Sequence, residues 1–424
     1  MAQIAEDSSV PIEGTRTSNP VMATTLIGAH GLEHLYGHSF AVLVTAIYDD
    51  LGLVPFQAGL LSFVRQISSG LTSMGSGFFV DMFQHRSAQV LALSMAMIGL
   101  GYLLVALSPT YTLIVASLFI ASAGSALWHP PALGLLSRRF PQRRGLFISL
   151  HRSTGNVGDF VGPFIAGALL TGGILVWRWG ALDWRWIMGG GTPLLFLLAV
   201  LVLITLWNVG GPKVETAPFK SNLAVQFKSL REAFEGRGMW AIFTVSALRG
   251  MGDRSFIFFL PLYLRVELDM SFITVALHVA LVAAPGIVSG PLLGALSDRI
   301  GRRPVITFVM ATAVVLPVTL VMGGAGLGMT LSVVLFGVFH SAVNSLTQAA
   351  AIDEAAGRGL DATFIGLMWG SNAFFSAGAA IIAGLLVGFY GWPVAFYFSA
   401  GLFFVGFLAS LLMPKTGHLQ LSPA

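Results

Sequence analysis

Residues Gly294–Arg303 read GALSDRIGRR, a short charged turn between two long apolar stretches. A degraded copy, GFFVDMFQHR, begins at Gly77 and carries Asp81 and Arg86. The offset is 294 − 77 = 217 residues, close to half of the 424-residue chain. A charged turn repeated at that period in so apolar a chain marks a duplicated membrane bundle. In each copy the glycine (Gly77, Gly294) is expected to let two helices approach closely. The aspartate (Asp81, Asp298) is expected to cap the next helix or to pair with an arginine. The arginines (Arg86 in one copy; Arg299, Arg302 and Arg303 in the other) are expected to stay in the cytoplasm.

Composition supports the membrane reading. The chain is 55% hydrophobic and 10% charged, with a mean hydropathy of +0.81, whereas a soluble domain carries about 25% charged residues. Several apolar runs exceed the ~18 residues needed to cross a bilayer. The isoelectric point near 9.6 does not indicate nucleic acid, because the basic residues sit in short loops where they act as topology signals. There is no cysteine, which excludes disulfides and thiolate metal sites. Residues 1–20 are polar and lack the basic and apolar regions of a cleaved signal peptide.

Hydropathy predicts twelve spans near 22–48, 56–80, 88–107, 111–136, 145–171, 185–208, 239–264, 272–296, 304–323, 328–350, 362–388 and 392–413. They form two six-helix halves, 22–208 and 239–413. The polar segment 209–238, with Lys213, Lys220, Lys228, Arg231 and Arg237, links them, and tails of 1–21 and 414–424 flank them. Placing both termini inside puts Arg86, Arg138, Arg139, Arg143, Arg144, the linker, Arg299, Arg302, Arg303 and Arg358 on the cytoplasmic side. Only Arg178, Arg185 and Arg265 then remain outside, as the positive-inside rule requires. The expected fold is all-α and multi-pass, in a cytoplasmic (inner) membrane, with both termini cytoplasmic.

The halves match beyond the turn: Asn372 follows Asn156, and Gly378 follows Gly162, at 372 − 156 = 378 − 162 = 216 residues. With these parallel repeats and the GALSDRIGRR turn, the chain resembles the major facilitator superfamily. GDFVGPFIAG, with Gly158, Gly162 and Pro163, resembles the fifth-helix Gly-Pro motif associated with its antiporters. GSALWHPPALGLLSRRF and RRGLFISLHRSTGNVGDFVGP are similar to the fosmidomycin-resistance-type exporters. The resemblance implies proton-coupled drug export. Pro131 stands where that family is expected to carry an acid, and the fourth helix lacks the membrane arginine of many drug–proton antiporters. The likeness therefore carries the fold and leaves the substrate open.

Charges within spans are costly and usually face a cavity. In the first span, HGLEHLYGH places His30, Glu33 and His34 on one face about 100° wide. Glu33 is the first candidate proton carrier, with His34 as its modulator. In the seventh span, Arg249 and Asp253 are four apart and suit an ion pair, and Asp253 is a further coupling candidate. In the fifth, Arg152 and Asp159 lie ~10 Å apart along the axis and cannot pair directly, and Asp159 is the second candidate proton site. Arg65 is expected to pair with an acid from another helix. His30, His129, Arg152, Arg249, His340, Asn344, Gln348 and Trp369 are candidate substrate contacts. Trp177, Trp179, Trp184 and Trp186 suit an interfacial belt.

The function these features suggest is proton-coupled export of a small organic compound by alternating access. Two other readings are a divalent metal exporter using His30, Glu33, His34 and His38, and an uptake symporter for an organic anion at Arg152 or Arg249. No nucleophile–base arrangement, phosphate-binding loop or zincin motif suggests an enzyme. The expected partners are a small-molecule substrate, protons and the lipid bilayer. No cofactor, resident metal or nucleic acid is expected, and the expected state is a monomer.

Overall fold

The computed structural model describes residues 19–82, 84–174, 177–207, 236–355 and 361–415, with single positions 209, 228, 231 and 234 between them. Among these residues it is almost wholly helical. The helices are α1 Asn19–Leu51, α2 Pro55–Met82, α3 Ser87–Leu107, α4 Tyr111–Arg139, α5 Arg144–Thr171, α6 Trp184–Gly190 and α7 Thr192–Leu206 in the first half. In the second half they are α8 Arg237–Leu262, α9 Phe272–Ala283, α10 Gly286–Ile300, α11 Arg302–Met322, α12 Leu327–Ala355, α13 Asp361–Tyr390 and α14 Val394–Ser410. Arg358 and most of the linker, and the side chains of Gly77, Asp81, Asn344 and Trp369, lie outside the described residues.

The twelve expected spans are present, but two are divided. The sixth consists of α6 and α7, separated at Gly191, and the eighth of α9 and α10, separated at Ala284 and Pro285. Pro285 has no N–H for the helical ladder, so the backbone resets there. Among the described residues, seven spans are long and apolar enough to cross a membrane by length and composition. The helices α1, α2, α5 and α8 are not among them. These are the helices that hold Glu33, Arg65, Asp159 and Asp253.

Each half packs mainly within itself, α1 on α5 and α3 on α4 in the first, α14 on α8 and α11 in the second. Two seams join the halves: α2 against α13, and α5 against α9. Small residues make them tight. A Cβ on Gly59 would collide with the Ala380 carbonyl, and one on Gly167 with the Ala276 side chain. The α1–α5 contact is closer still, because a Cβ on Gly158 would strike Gly31 and Leu35, and one on Gly162 the Leu35 carbonyl. Pro163 is buried beside them. The Gly-Pro motif thus seats α5 against α1.

The GALSDRIGRR turn departs from expectation in one respect. A Cβ on Gly294 meets nothing within 4 Å, so close helix approach does not explain this glycine. The constrained glycine is Gly301, whose φ of 98° favours a residue without a Cβ. Asp298 pairs with Arg302 rather than capping α11, which has no side-chain cap. Arg302 also donates to Ser297 at 2.6 Å and to Asp353 at 3.1 Å, tying α10, α11 and α12 together. Arg86 and Arg299 are exposed and Arg303 is half-buried. Trp177 and Trp186 are exposed, as a belt requires, but Trp184 is buried and donates to Asp50 at 3.1 Å.

Candidate functional site

The densest polar cluster lies in the first half, where α1, α4 and α5 meet. Glu33 is 4% exposed. Its Oε1 accepts from Ser125 Oγ on α4 at 2.5 Å. Its Oε2 accepts no hydrogen bond among the described residues and stands 3.5 Å from His34 Nε2. The other ring nitrogen of His34, Nδ1, donates to Asp159 Oδ1 on α5 at 2.6 Å. His38 Nε2, on a side chain about half exposed, lies 3.1 Å from the same oxygen. One turn back along α1, His30 Nδ1 donates to the His151 carbonyl at 2.6 Å, and its ring stacks on His151 at 3.6 Å. His30 Nε2 is 3.4 Å from His129 Nε2 on α4. The expected face of His30, Glu33 and His34 therefore exists, and α4 and α5 complete it. His129 keeps its place in α4 despite Pro130 and Pro131, because the helix continues through both. Its Nδ1 donates to the Ser125 carbonyl.

The second half holds a smaller charged group on α8 and α12. Arg249 Nη1 donates to Asp253 Oδ2 at 2.6 Å, with both side chains buried. His340 Nδ1 stands 3.1 Å from the same oxygen. These three groups line a small pocket otherwise walled by Met310, Phe336, Phe339 and Phe403. Arg254 Nε is buried and has no hydrogen-bond partner among the described residues.

The remaining candidates disperse. Arg152 is exposed and reaches across the halves to Ser345 Oγ on α12 at 3.4 Å. Arg65 has no acid within ion-pair distance among the described residues. It donates to the Gly37 carbonyl at 3.3 Å and lies over the Phe40 ring. Thr347 of α12 is fully buried and donates to the Val343 carbonyl. Gln348 lies on the same helix.

Sequence reasoning missed Ser125 and His151 as parts of the cluster, because side chains contributed by α4 and α5 to a site on α1 leave no spacing pattern. It also missed the ion pair between Asp49 and Arg265 at 3.2 Å, which joins α1 to the end of α8. The two residues stand at equivalent positions of the halves, since 265 − 49 = 216 is the duplication offset.

Comparison with known proteins decides the family. The profile of the Major Facilitator Superfamily matches residues 32–377. The chain belongs to the major facilitator superfamily. It is a multi-pass membrane transporter rather than an enzyme. The fosmidomycin resistance protein of Escherichia coli (strain K12) is 24% identical over 316 residues, covering 70% of this chain and 71% of that protein. Among solved structures, an inward-facing, occupied bacterial homologue of the human lysosomal transporter Spinster superposes with a TM-score of 0.75 at 13% identity. That match covers 93% of this chain and 97% of the other. The nucleoside transporter NupG gives a TM-score of 0.71 at 15% identity, over 92% of this chain and 98% of that one. At such identities the structural matches speak for the superfamily fold alone.

Proposed function

We propose that this transporter exports a small organic compound in exchange for protons, by alternating access, as a monomer in the cytoplasmic membrane with both termini inside. The observation that carries the reading is the polar line Ser125–Glu33–His34–Asp159, hydrogen-bonded at its two ends and bridged by the 3.5 Å approach of Glu33 to His34, held within a membrane bundle. Charged groups at mid-bilayer cost ~2.5–3.5 kcal/mol each on insertion scales and persist where they serve transport. Two carboxylates flanking one imidazole offer adjacent proton positions, and half-exposed His38 gives Asp159 a route to the cavity. The direction of transport is supported by the Gly-Pro motif and by the E. coli relative's role in fosmidomycin resistance. Protons arriving from outside neutralise Asp159 and Glu33 and favour release of the compound outward. An inward proton gains ~2.3 kcal/mol per 100 mV. The compound contacts His129 and Arg152 on one side of the cavity and Arg249, His340 and Gln348 on the other. The coupling experiment uses proteoliposomes with an imposed pH gradient and a panel of phosphonates and hydrophobic cations. Wild-type protein is expected to show compound-evoked proton flux, lost in Glu33→Gln. Flux surviving in Glu33→Gln moves coupling to Asp159 or Asp253, and no flux with any compound refutes proton-coupled export.

The Asp49–Arg265 pair gives a conformational prediction. It links the halves at the face opposite the arginine-rich turns, but Asp49 is 41% exposed, so the pair contributes at most ~1 kcal/mol. Asp49→Asn should shift the balance between the two access states by up to about fivefold. The absence of native cysteine lets a pair of introduced spin labels report this without background. Unchanged distance populations would show that the pair does not help to hold that face together.

A further inference from the structure

Three of the five histidines of the first cluster, His30, His34 and His129, share one arrangement. In each, Nδ1 is committed to an oxygen that can only accept: the His151 carbonyl for His30, the Ser125 carbonyl for His129 and the Asp159 carboxylate for His34. Nδ1 therefore carries the proton, and in a neutral imidazole Nε2 is a bare lone pair. The Nε2 atoms of His30 and His129 nevertheless face each other at 3.4 Å. Two lone pairs at that distance repel unless a cation lies between them. Glu33 Oε2 points into the same space, buried and without a hydrogen bond, 3.5 Å from His34 Nε2. His30, Glu33, His34 and His129 each offer a ligand atom, all within 4.8 Å of one another.

We infer that these four residues form a tetrahedral site for a divalent d-block metal ion of the zinc class. With metal–ligand bonds of about 2.0–2.1 Å, the edge of a tetrahedron is about 3.3–3.4 Å, close to the 3.4 and 3.5 Å separations present. The outer shell is also complete. Metal-bound histidines characteristically donate their second ring nitrogen to a carbonyl or carboxylate, and all three do so here. Ser125 orients the carboxylate of Glu33 through Oε1. Three imidazoles and one carboxylate suit zinc-like ions, whereas magnesium and calcium favour oxygen ligands. Glu33 and Asp159 supply negative charge. The His34 side chain is 22% exposed, which leaves one side of the site open to an entering ion.

The site shares Glu33, His34 and His129 with the proposed coupling and substrate site, but its test is separate from that of proton-coupled export, because binding is measured without transport. Tag-free protein in lipid nanodiscs is titrated with Co²⁺ and followed by its visible absorption, with Zn²⁺ as competitor. The expected result is one tetrahedral Co²⁺ per chain, displaced by Zn²⁺. His129→Gln and Glu33→Gln should each abolish the tetrahedral spectrum while the protein stays monodisperse. Asp159→Asn should keep the stoichiometry and weaken binding by ~10–100-fold, the usual cost of an outer-shell change. A wild-type protein that gives no tetrahedral spectrum, or binding that survives unchanged in the His129→Gln/Glu33→Gln double variant, overturns the site. If a single variant fails to fold, ion-induced thermal stabilisation of wild type, and its absence in Asp159→Asn at low ion concentration, gives the same decision.

Discussion

Gly162→Val will cripple the fold, and Gly378→Val, at the equivalent position of the other half, will leave it intact. The two glycines are related by the 216-residue repeat, yet their surroundings differ. A Cβ on Gly162 would collide with the Leu35 backbone, whereas one on Gly378 meets nothing within 4 Å. Overpacking commonly costs about 1–3 kcal/mol. Gly162 belongs at or above the top of that range, because the obstacle is main chain and not the tip of a side chain that can swing away. To relieve the clash α1 must separate from α5, which also pulls His34 from Asp159 and breaks the Ser39 hydroxyl's bond to the Gly162 carbonyl. Size-exclusion profiles and melting temperatures in detergent are the readout. Equal behaviour of the two variants would show that the α1–α5 contact is not the constraint proposed.

The second large effect is expected at Arg249. Its guanidinium and the Asp253 carboxylate form a buried pair. Removing one partner of such a pair typically costs about 3–5 kcal/mol, because the other charge is left without compensation. Arg249→Met should therefore lower the melting temperature strongly. The Arg249→Met/Asp253→Asn double variant should recover most of that loss, since replacing both charges removes the penalty as well as the attraction. Transport should not return with stability if the pair also acts in the cycle. A single variant that melts like wild type would mean that His340 alone compensates Asp253.

Much of the architecture was legible in the sequence because a bilayer leaves few alternatives. Backbone polar groups must be satisfied internally, so long apolar runs become helices, and the repeated turn showed where the chain begins again. The Arg249–Asp253 pair was legible for a similar reason: helical spacing alone brings residues four apart together. Side chains that meet across helices were not. Glu33 was readable as an unusual residue, but not that Ser125 would hold one of its oxygens and leave the other bare. Arg65 was expected to find an acid and instead rests on a carbonyl and an aromatic ring. Gly294 was misread because close approach is a property of the neighbouring helix, which its own sequence does not contain. The duplication also stops short of the chemistry. Glu33 is matched by Arg249 and His38 by Arg254, at 249 − 33 = 254 − 38 = 216. One half therefore presents imidazoles and carboxylates where the other presents guanidiniums.

The polarity of α1 has a consequence for biogenesis. It is the first of the described helices to leave the ribosome, yet it is not among the spans apolar enough to cross by composition. The partners that cover its polar face lie on α4 and α5, about a hundred residues later in translation, since Ser125 and Asp159 are 92 and 125 positions away from their α1 contacts. Lateral release of α1 into lipid is thus favoured only when those helices arrive. The first half is therefore expected to enter the membrane as a cooperative unit rather than one helix at a time.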